Sequence, residues 1–584
     1  MLKIRINLIA LIALWATMYL NGCKKYPKLT NTPHKLSIWE IDDPPGLNPL
    51  LTFDATSTEI RPLLFQSLLN FSYDDYSLIP VLARSRPVIE TLGDTAMVLH
   101  YKIRPEARWD NGRHVTARDV LFSYKAIASP VIAADYLKPY LQMVDRIEID
   151  HSDSLSLRIY TREIHMRAEA STGFEIPILP EYFYDPGHVL RAYSFRELYD
   201  MQHPGDQALI KWGERFSSPE FARLGDSMSG SGAYRLQRWD QGERIVLEKK
   251  ENWWGGEIRD TGNMYFEAHP EKIIYQIIND QTAALTALKG GQIDVMRSVK
   301  ARDFKSLLEN PGYRERLKLF TPPMLAFSAL GINMKSPLFE DRSTRQAIAF
   351  LIDYDRLMKD VMYGFAERCI GPVYPSLKKY YNDSITPYRL NPDKARKLLQ
   401  MSGWADHDGD GWLDRTLNGE KTDFEFDFIT NKGQEEREKV ALIVQENLRK
   451  AGIRMNIVSL EWGLVLEHLF NHDFDMMYIS MVGDPAPEDY SQLWSRASRN
   501  GGYNFVNFGN AYSDSLIAKI NRTLDEDERA GYIRELQVLI HREVPYVFLW
   551  TPENRIAIRH SFRNMHISAY RPGFWPGGFI LEAD

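Results

Sequence analysis

Two cysteines in 584 residues, Cys23 and Cys369, leave nothing from which to build a disulfide framework or a thiolate metal site. Apolar runs are short as well: the longest, Leu8 to Leu20, is about a dozen residues, against the roughly 20 that span a bilayer as a helix. The chain has no H-E-x-x-H, no G-x-S-x-G and no G-K-[ST], and its 14 histidines are scattered. Zinc-peptidase, nucleophile-elbow hydrolase and phosphate-loop chemistry therefore have no carrier. Net positive charge is lacking too. The formal charge is −7, or −9 once Lys3 and Arg5 go with the first 22 residues, which argues against a nucleic-acid partner.

What remains is an ordinary globular composition, 44% hydrophobic and 26% charged, in a chain long enough for two or three lobes. Residues 1–22 read as a secretion signal: basic Lys3 and Arg5, the short apolar core, and Gly22 before the cleavage point. Leu20-Asn21-Gly22-Cys23 resembles a bacterial lipobox, which implies lipidation of Cys23 and attachment to a bacterial membrane on its extracytoplasmic side. Residues 23–33, polar with two prolines, read as a tether. If Cys23 carries lipid, Cys369 has no partner, and it reads as a structural thiol.

The most informative stretch is Tyr101 to Ile127. Alternation from Val98 to Ile103 predicts a strand, Asn111-Gly112 a tight turn, and Thr116 followed by Asp119 a capping box opening a helix through Val120, Leu121, Tyr124 and Ile127. With Arg104, Trp109, Asp110, Gly112, Thr116, Ala117, Asp119, Val120, Phe122 and Ser123 in step, the segment resembles the signature of family 5 extracellular solute-binding proteins. These are the peptide, oligopeptide and nickel receptors of ABC transporters. Further blocks fit the resemblance in order: a strand from Leu36 with Leu47-Asn48-Pro49, the hairpin at Gly230-Ser231-Gly232 with Trp253-Trp254-Gly255, and Gly291-Gln292-Ile293-Asp294. Asn333 to Asp353, with Asp341, Arg345 and Gln346, and the helices at Asn391 and Glu446 complete the series.

The resemblance implies an α/β, two-lobed periplasmic-binding-protein fold of type II, cluster C-like, with an accessory domain inserted in lobe one. Lobe one is expected over 34–55, 180–275 and 549–584, the accessory domain over 56–179 and lobe two over 276–548. It further implies a monomer that captures a peptide, of oligopeptide length, between closing lobes and delivers it to ABC transporter permease subunits. A nickel chelate or an oligosaccharide is the alternative ligand. A secreted hydrolase is the alternative class, Gly225-Asp226-Ser227-Met228 being similar to one esterase family's nucleophile block.

For the ligand, the resemblance points to Asp484 in Gly483-Asp484-Pro485 as the acceptor of a peptide's α-ammonium. It also points to Met481 where an aromatic often stands, and to Lys432 near the place of a carboxylate-binding arginine. By its residues alone Asp484 is equally a turn aspartate. Asp406, Asp408, Asp410 and Asp414, with one carbonyl at Trp412, have the spacing of a Ca²⁺ loop, except that Leu417 stands where a bidentate glutamate belongs. That run is either a structural Ca²⁺ site or a polar turn. No other cofactor is expected.

Overall fold

The computed structural model describes residues 34–582, apart from 224, 226–227, 259–261, 418 and 487–488. The signal, Cys23 and the tether lie outside the described residues, as does Ser227. Among the described residues no helix is long and apolar enough to cross a membrane.

Two mixed sheets organise the chain. The first has the order Leu317–Phe320, Ile556–Arg559, Val295–Met296, Lys35–Glu40, Lys272–Ile277, Arg244–Lys249, Tyr234–Asp240. Lys35–Glu40 sits inside it, parallel to Lys272–Ile277, and buries every residue but the first, as a central strand covered on both faces must. The second sheet runs Ala366–Arg368, Tyr546–Pro552, Ala326–Ile332, Met476–Val482, Glu425–Asn431, Arg454–Leu460. Its Ala326–Ile332 is wholly buried between antiparallel neighbours. Two apolar clusters lie on its two faces, one around Trp404, Leu357 and Val444, the other around Trp494, Ile517 and Ile533.

The chain passes from the first sheet to the second after Phe320 and returns after Pro552. The first crossing was expected near residues 270–280. Instead, residues 281–320 remain with the first sheet, because the Gly291-Gln292-Ile293-Asp294 turn leads into a strand beside Lys35–Glu40. Ile38 pairs with Val295, and the Ser37 amide donates to the Asp294 carboxylate at 2.8 Å. Trp39, Leu288, Phe304 and Leu307 then close a cluster over this edge. The two crossing segments lie side by side: the Met324 amide donates to the Pro552 carbonyl and the Asn554 amide to the Pro322 carbonyl, both at 2.8 Å, and Pro323 pairs with Glu553.

Beside the first sheet stands a four-stranded antiparallel sheet, Val88–Leu92, Ala96–Lys102, Ser156–Thr161, Val144–Ile149. Gly112 takes φ +81°, and the Thr116 amide and hydroxyl both donate to Asp119 at the start of the helix Ala117–Ala128. This unit shares one continuous buried cluster with the first sheet, from Ile38 and Tyr275 to Leu99 and Ile159. Residues 181–216, expected in lobe one, pack instead on the helix Ala117–Ala128. The Glu181 amide donates to Asp119, Lys125 donates to the Leu190 carbonyl, and Phe122 meets Trp212 edge-on. Asp110 ties the opening turn to the Gly230 hairpin through Lys250 at 2.6 Å and the Gly230 amide at 3.2 Å. Added Cβ atoms at Gly230 or Gly232 would run into the carbonyls of Leu64 and Leu63, so the close approach there is to the helix Ala55–Leu64. Cys369 is buried, as a structural thiol would be.

Candidate functional site

Met476–Val482 is an interior strand of the second sheet, and the loop after it carries Asp484 toward the first lobe. There Arg167 Nη2 lies 3.1 Å from Asp484 Oδ2 and 3.2 Å from Oε1 of Glu175, so one guanidinium nitrogen serves two carboxylates. Arg167 immediately precedes the short helix Ala168–Gly173, and Glu175 follows it. The lobes also meet through backbone: the Met166 amide donates to the Asn521 carbonyl at 2.7 Å, and Arg522 donates to the Asp94 carbonyl at 2.6 Å.

Two cavities flank the Arg167–Asp484 pair. The smaller, about 340 Å³, is lined by Asp484, Glu175, Arg61 and Glu59 among aromatic walls that include Tyr140 and Tyr570. The larger, about 680 Å³, lies on the Arg167 side, with Arg86, Glu169, Lys379 and Arg529 in its walls. Phe71, Ala170 and Ala486, packed with Phe174 and Tyr570, form the partition between them. Both volumes fall in the range of small-molecule sites.

Electrostatics in the smaller cavity are tight. Burial, and then the Asp484 charge beside it, push the Glu175 carboxyl up to about 7. Asp484 Oδ1 is buried, and among the described residues it has no hydrogen-bond partner. A buried carboxylate oxygen in that condition is an acceptor prepared for a donor. On the opposite wall, Glu59 meets Arg297 at 2.7 Å, and the same Arg297 nitrogen holds both oxygens of Glu40 at 2.9 and 2.8 Å.

Of the residues singled out in the sequence, Asp484 alone faces this cavity. Met481 packs with Met477 and Ile479 against the cluster beneath the second sheet, since alternate strand residues share a face, and the cavity is met by Val482 and Gly483 instead. Lys432 caps no cavity: two-thirds exposed, it pairs with Glu461 at 3.1 Å on the surface. Arg167, Glu175 and Arg61 were not anticipated. The signal was there in part, because Glu175 interrupts an otherwise apolar run, Phe174 to Leu179.

The Ca²⁺ spacing is realised only in its first half. Asp406, Asp408 and Asp410 bring carboxylate oxygens within 4.8 Å of one another. Asp414 turns away, buried and bound to the His407 ring at 2.8 Å, and the Trp412 ring lies under Arg454 at 4.5 Å. The Lys421 ammonium sits on Asp408, and the Asp406 and Asp410 carboxylates accept the Gly409, Gly411 and Trp412 amides. The loop thus gathers three exposed carboxylates with one ammonium beside them, and lacks the fuller oxygen set of a complete Ca²⁺ loop.

Comparison with known proteins bears on this cleft. The sequence model described as "Bacterial extracellular solute-binding proteins, family 5 Middle" matches residues 77–504. The oligopeptide-binding protein AppA of Bacillus subtilis is 28% identical over 530 residues, 90% of this chain and 87% of that one. The di/tripeptide-binding protein 2 of Pseudomonas aeruginosa is 23% identical over 92% of each chain. Among solved structures, that of B. subtilis AppA in complex with a nonapeptide superposes with a TM-score of 0.68 at 25% identity, covering 94% of this chain and all of the other.

Proposed function

We propose a peptide-capturing role for this chain, which belongs to the family 5 bacterial extracellular solute-binding proteins: it takes up peptides between its two lobes and delivers them to an ABC transporter. The observation that carries the reading is Asp484, which lines an aromatic-walled interlobe cavity and whose Oδ1 is buried without a partner among the described residues. A peptide's α-ammonium is the donor that such an oxygen accepts, and aromatic walls exclude the water that would compete. Relatives that bind oligopeptides and di- or tripeptides support the same ligand class. Binding without turnover is the expected chemistry, with permease subunits as partners and a monomer as the working form.

Mass spectrometry of small molecules released by denaturing the purified mature chain tests the assignment. Peptides with free amino termini are expected in near-stoichiometric yield, and tetra-alanine is expected to bind reversibly and be recovered uncleaved. Recovery of another solute class, together with no binding of tetra-alanine, would overturn it.

Lipid attachment at Cys23 belongs to the same reading. A diacylglyceryl group plus an N-acyl chain exceeds the two-signal threshold for stable anchoring, whereas one chain gives marginal binding. Cys23→Ala is expected to move the protein from the membrane pellet to the soluble fraction. Retention in the pellet would remove the anchor from the account.

A further inference from the structure

We propose that Glu175 is the second carboxylate of the ammonium subsite, holding a proton while it shares Arg167 with Asp484 and releasing that proton to solvent when a ligand cation enters the cavity. The inference rests on the peptide reading and deepens it, by assigning a specificity-determining residue and a linked proton.

The geometry supplies the imbalance. Asp484 and Glu175 meet the same Arg167 nitrogen, at 3.1 and 3.2 Å, so two neighbouring carboxylates divide one cation. The Arg167 and Glu175 side chains are 11% and 10% exposed, and water does little to screen them. Two like charges so placed do not both ionise easily, and the more buried one keeps the proton. Burial first, and the Asp484 charge second, raise the Glu175 carboxyl.

Every charged or titratable group facing Glu175 has to be counted. Arg61, on the helix Ala55–Leu64, lines the cavity outside ion-pair distance of both carboxylates and favours the ionised form of Glu175 at longer range. Tyr136 and Tyr140 on one side and Tyr570 on another are pushed up by burial and neighbouring charge, and stay neutral. Glu59, the other buried carboxylate of this cavity, has cations of its own in Arg297 at 2.7 Å and Arg571 at 3.5 Å. A ligand ammonium beside Asp484 therefore supplies a second cation in direct contact, where among the described residues Arg167 is the one cation at ion-pair distance of Asp484 and Glu175. With two cations for two carboxylates, the proton on Glu175 becomes surplus.

Proton release sets the pH dependence of binding. Affinity rises with pH wherever the free protein holds the proton that the complex has lost, from roughly pH 6 to 7.5 given a Glu175 carboxyl near 7. It falls again above about pH 8, where the α-amino group of a peptide, at roughly 7.7–8.0, loses its own charge.

Calorimetry with tetra-alanine at pH 6.5, in two buffers of different ionisation enthalpy, reads the released proton directly. At least about half a proton per bound peptide is expected for the wild type. Glu175→Gln, which keeps the shape and the neutral hydrogen bonding, is expected to release none, to lose the rise between pH 6 and 7.5, and to bind roughly tenfold more weakly at pH 7.5. N-acetyl-tetra-alanine should release no proton from either protein, a control that does not depend on the variant folding. A wild-type binding heat independent of buffer would overturn the role of Glu175 while leaving peptide capture intact. Release persisting in a folded Glu175→Gln variant would overturn it as well. Failure of tetra-alanine to bind at any pH would instead remove the peptide reading on which the inference stands.

Discussion

Replacing Asp484 by asparagine is expected to weaken the binding of free-amine peptides by two orders of magnitude or more. On the proposed reading, closure would place the ligand's ammonium beside this carboxylate, away from bulk water, and removing one partner of a buried charge pair costs about 3–5 kcal/mol. At about 1.4 kcal/mol per factor of ten, that cost corresponds to at least a hundredfold. The fold is expected to survive Asp484→Asn, because Arg167 keeps Glu175 at 3.2 Å and the amide fills the same space. N-acetylated peptides, which bring no charge, are expected to bind the wild type poorly and to gain relative to free peptides in the variant. Titration calorimetry with tetra-alanine and its acetylated form measures both. Unchanged affinity for the free amine would return Asp484 to the role of a turn residue.

The largest stability effect is expected at Arg297. Its guanidinium holds Glu40 and Glu59, whose side chains are 2% and 5% exposed, and thereby fastens the central strand Lys35–Glu40 to the helix Ala55–Leu64. Arg297→Met leaves two buried carboxylates with Arg571, 3.5 Å from Glu59, as the remaining nearby guanidinium. The expected loss is about 3–5 kcal/mol, read as an earlier urea transition of the first lobe. The sign of its pH dependence follows from Glu59. Burial already raises this carboxyl to about 7, so the stability it offers is present below the unfolded carboxylate range and is lost as pH rises through 7. Without Arg297 the deficit is expected to be largest above pH 7 and to shrink toward pH 5. Adding Glu59→Gln to Arg297→Met is expected to restore part of the loss at pH 7.5. No recovery in the double variant would mean that the Arg297 stem, and not its charge, is what the site needs.

Local features were readable in the sequence because their causes are local. Thr116 with Asp119 caps a helix where spacing alone put it, and Asp341 before Thr344 and Asn391 before Lys394, named in the sequence as a motif residue and a helix start, cap theirs in the same local way. Gly483-Asp484-Pro485 was recognisable as the turn after a strand. Arg345 stood out as a motif residue, although its task, donating from a buried guanidinium to the carbonyls of Phe339, Glu340 and Glu543, takes the folded chain to see.

What escaped the sequence is what depends on distant partners. Arg167 reaches Asp484 across 317 positions, a juxtaposition with no local periodicity to announce it. The misplaced crossing has the same origin. A helix, a glycine turn and a short strand look alike whichever sheet the strand joins, and only the register of Val295 against Ile38 decides. Which face Met481 takes is equally a matter of register, since one step along a strand exchanges its two faces.

The paired crossing segments bear on how the lobes move. A single covalent link would behave as a ball joint, free to swing and twist. Here two strands, clipped together by the Met324 and Asn554 amides and stiffened by Pro322, Pro323 and Pro552, behave as a door with one axis. Twist out of that plane would break the clips, so both chambers open and shut on the same stroke. A lobe motion about that axis would carry Asp484 toward or away from Arg167 along one path.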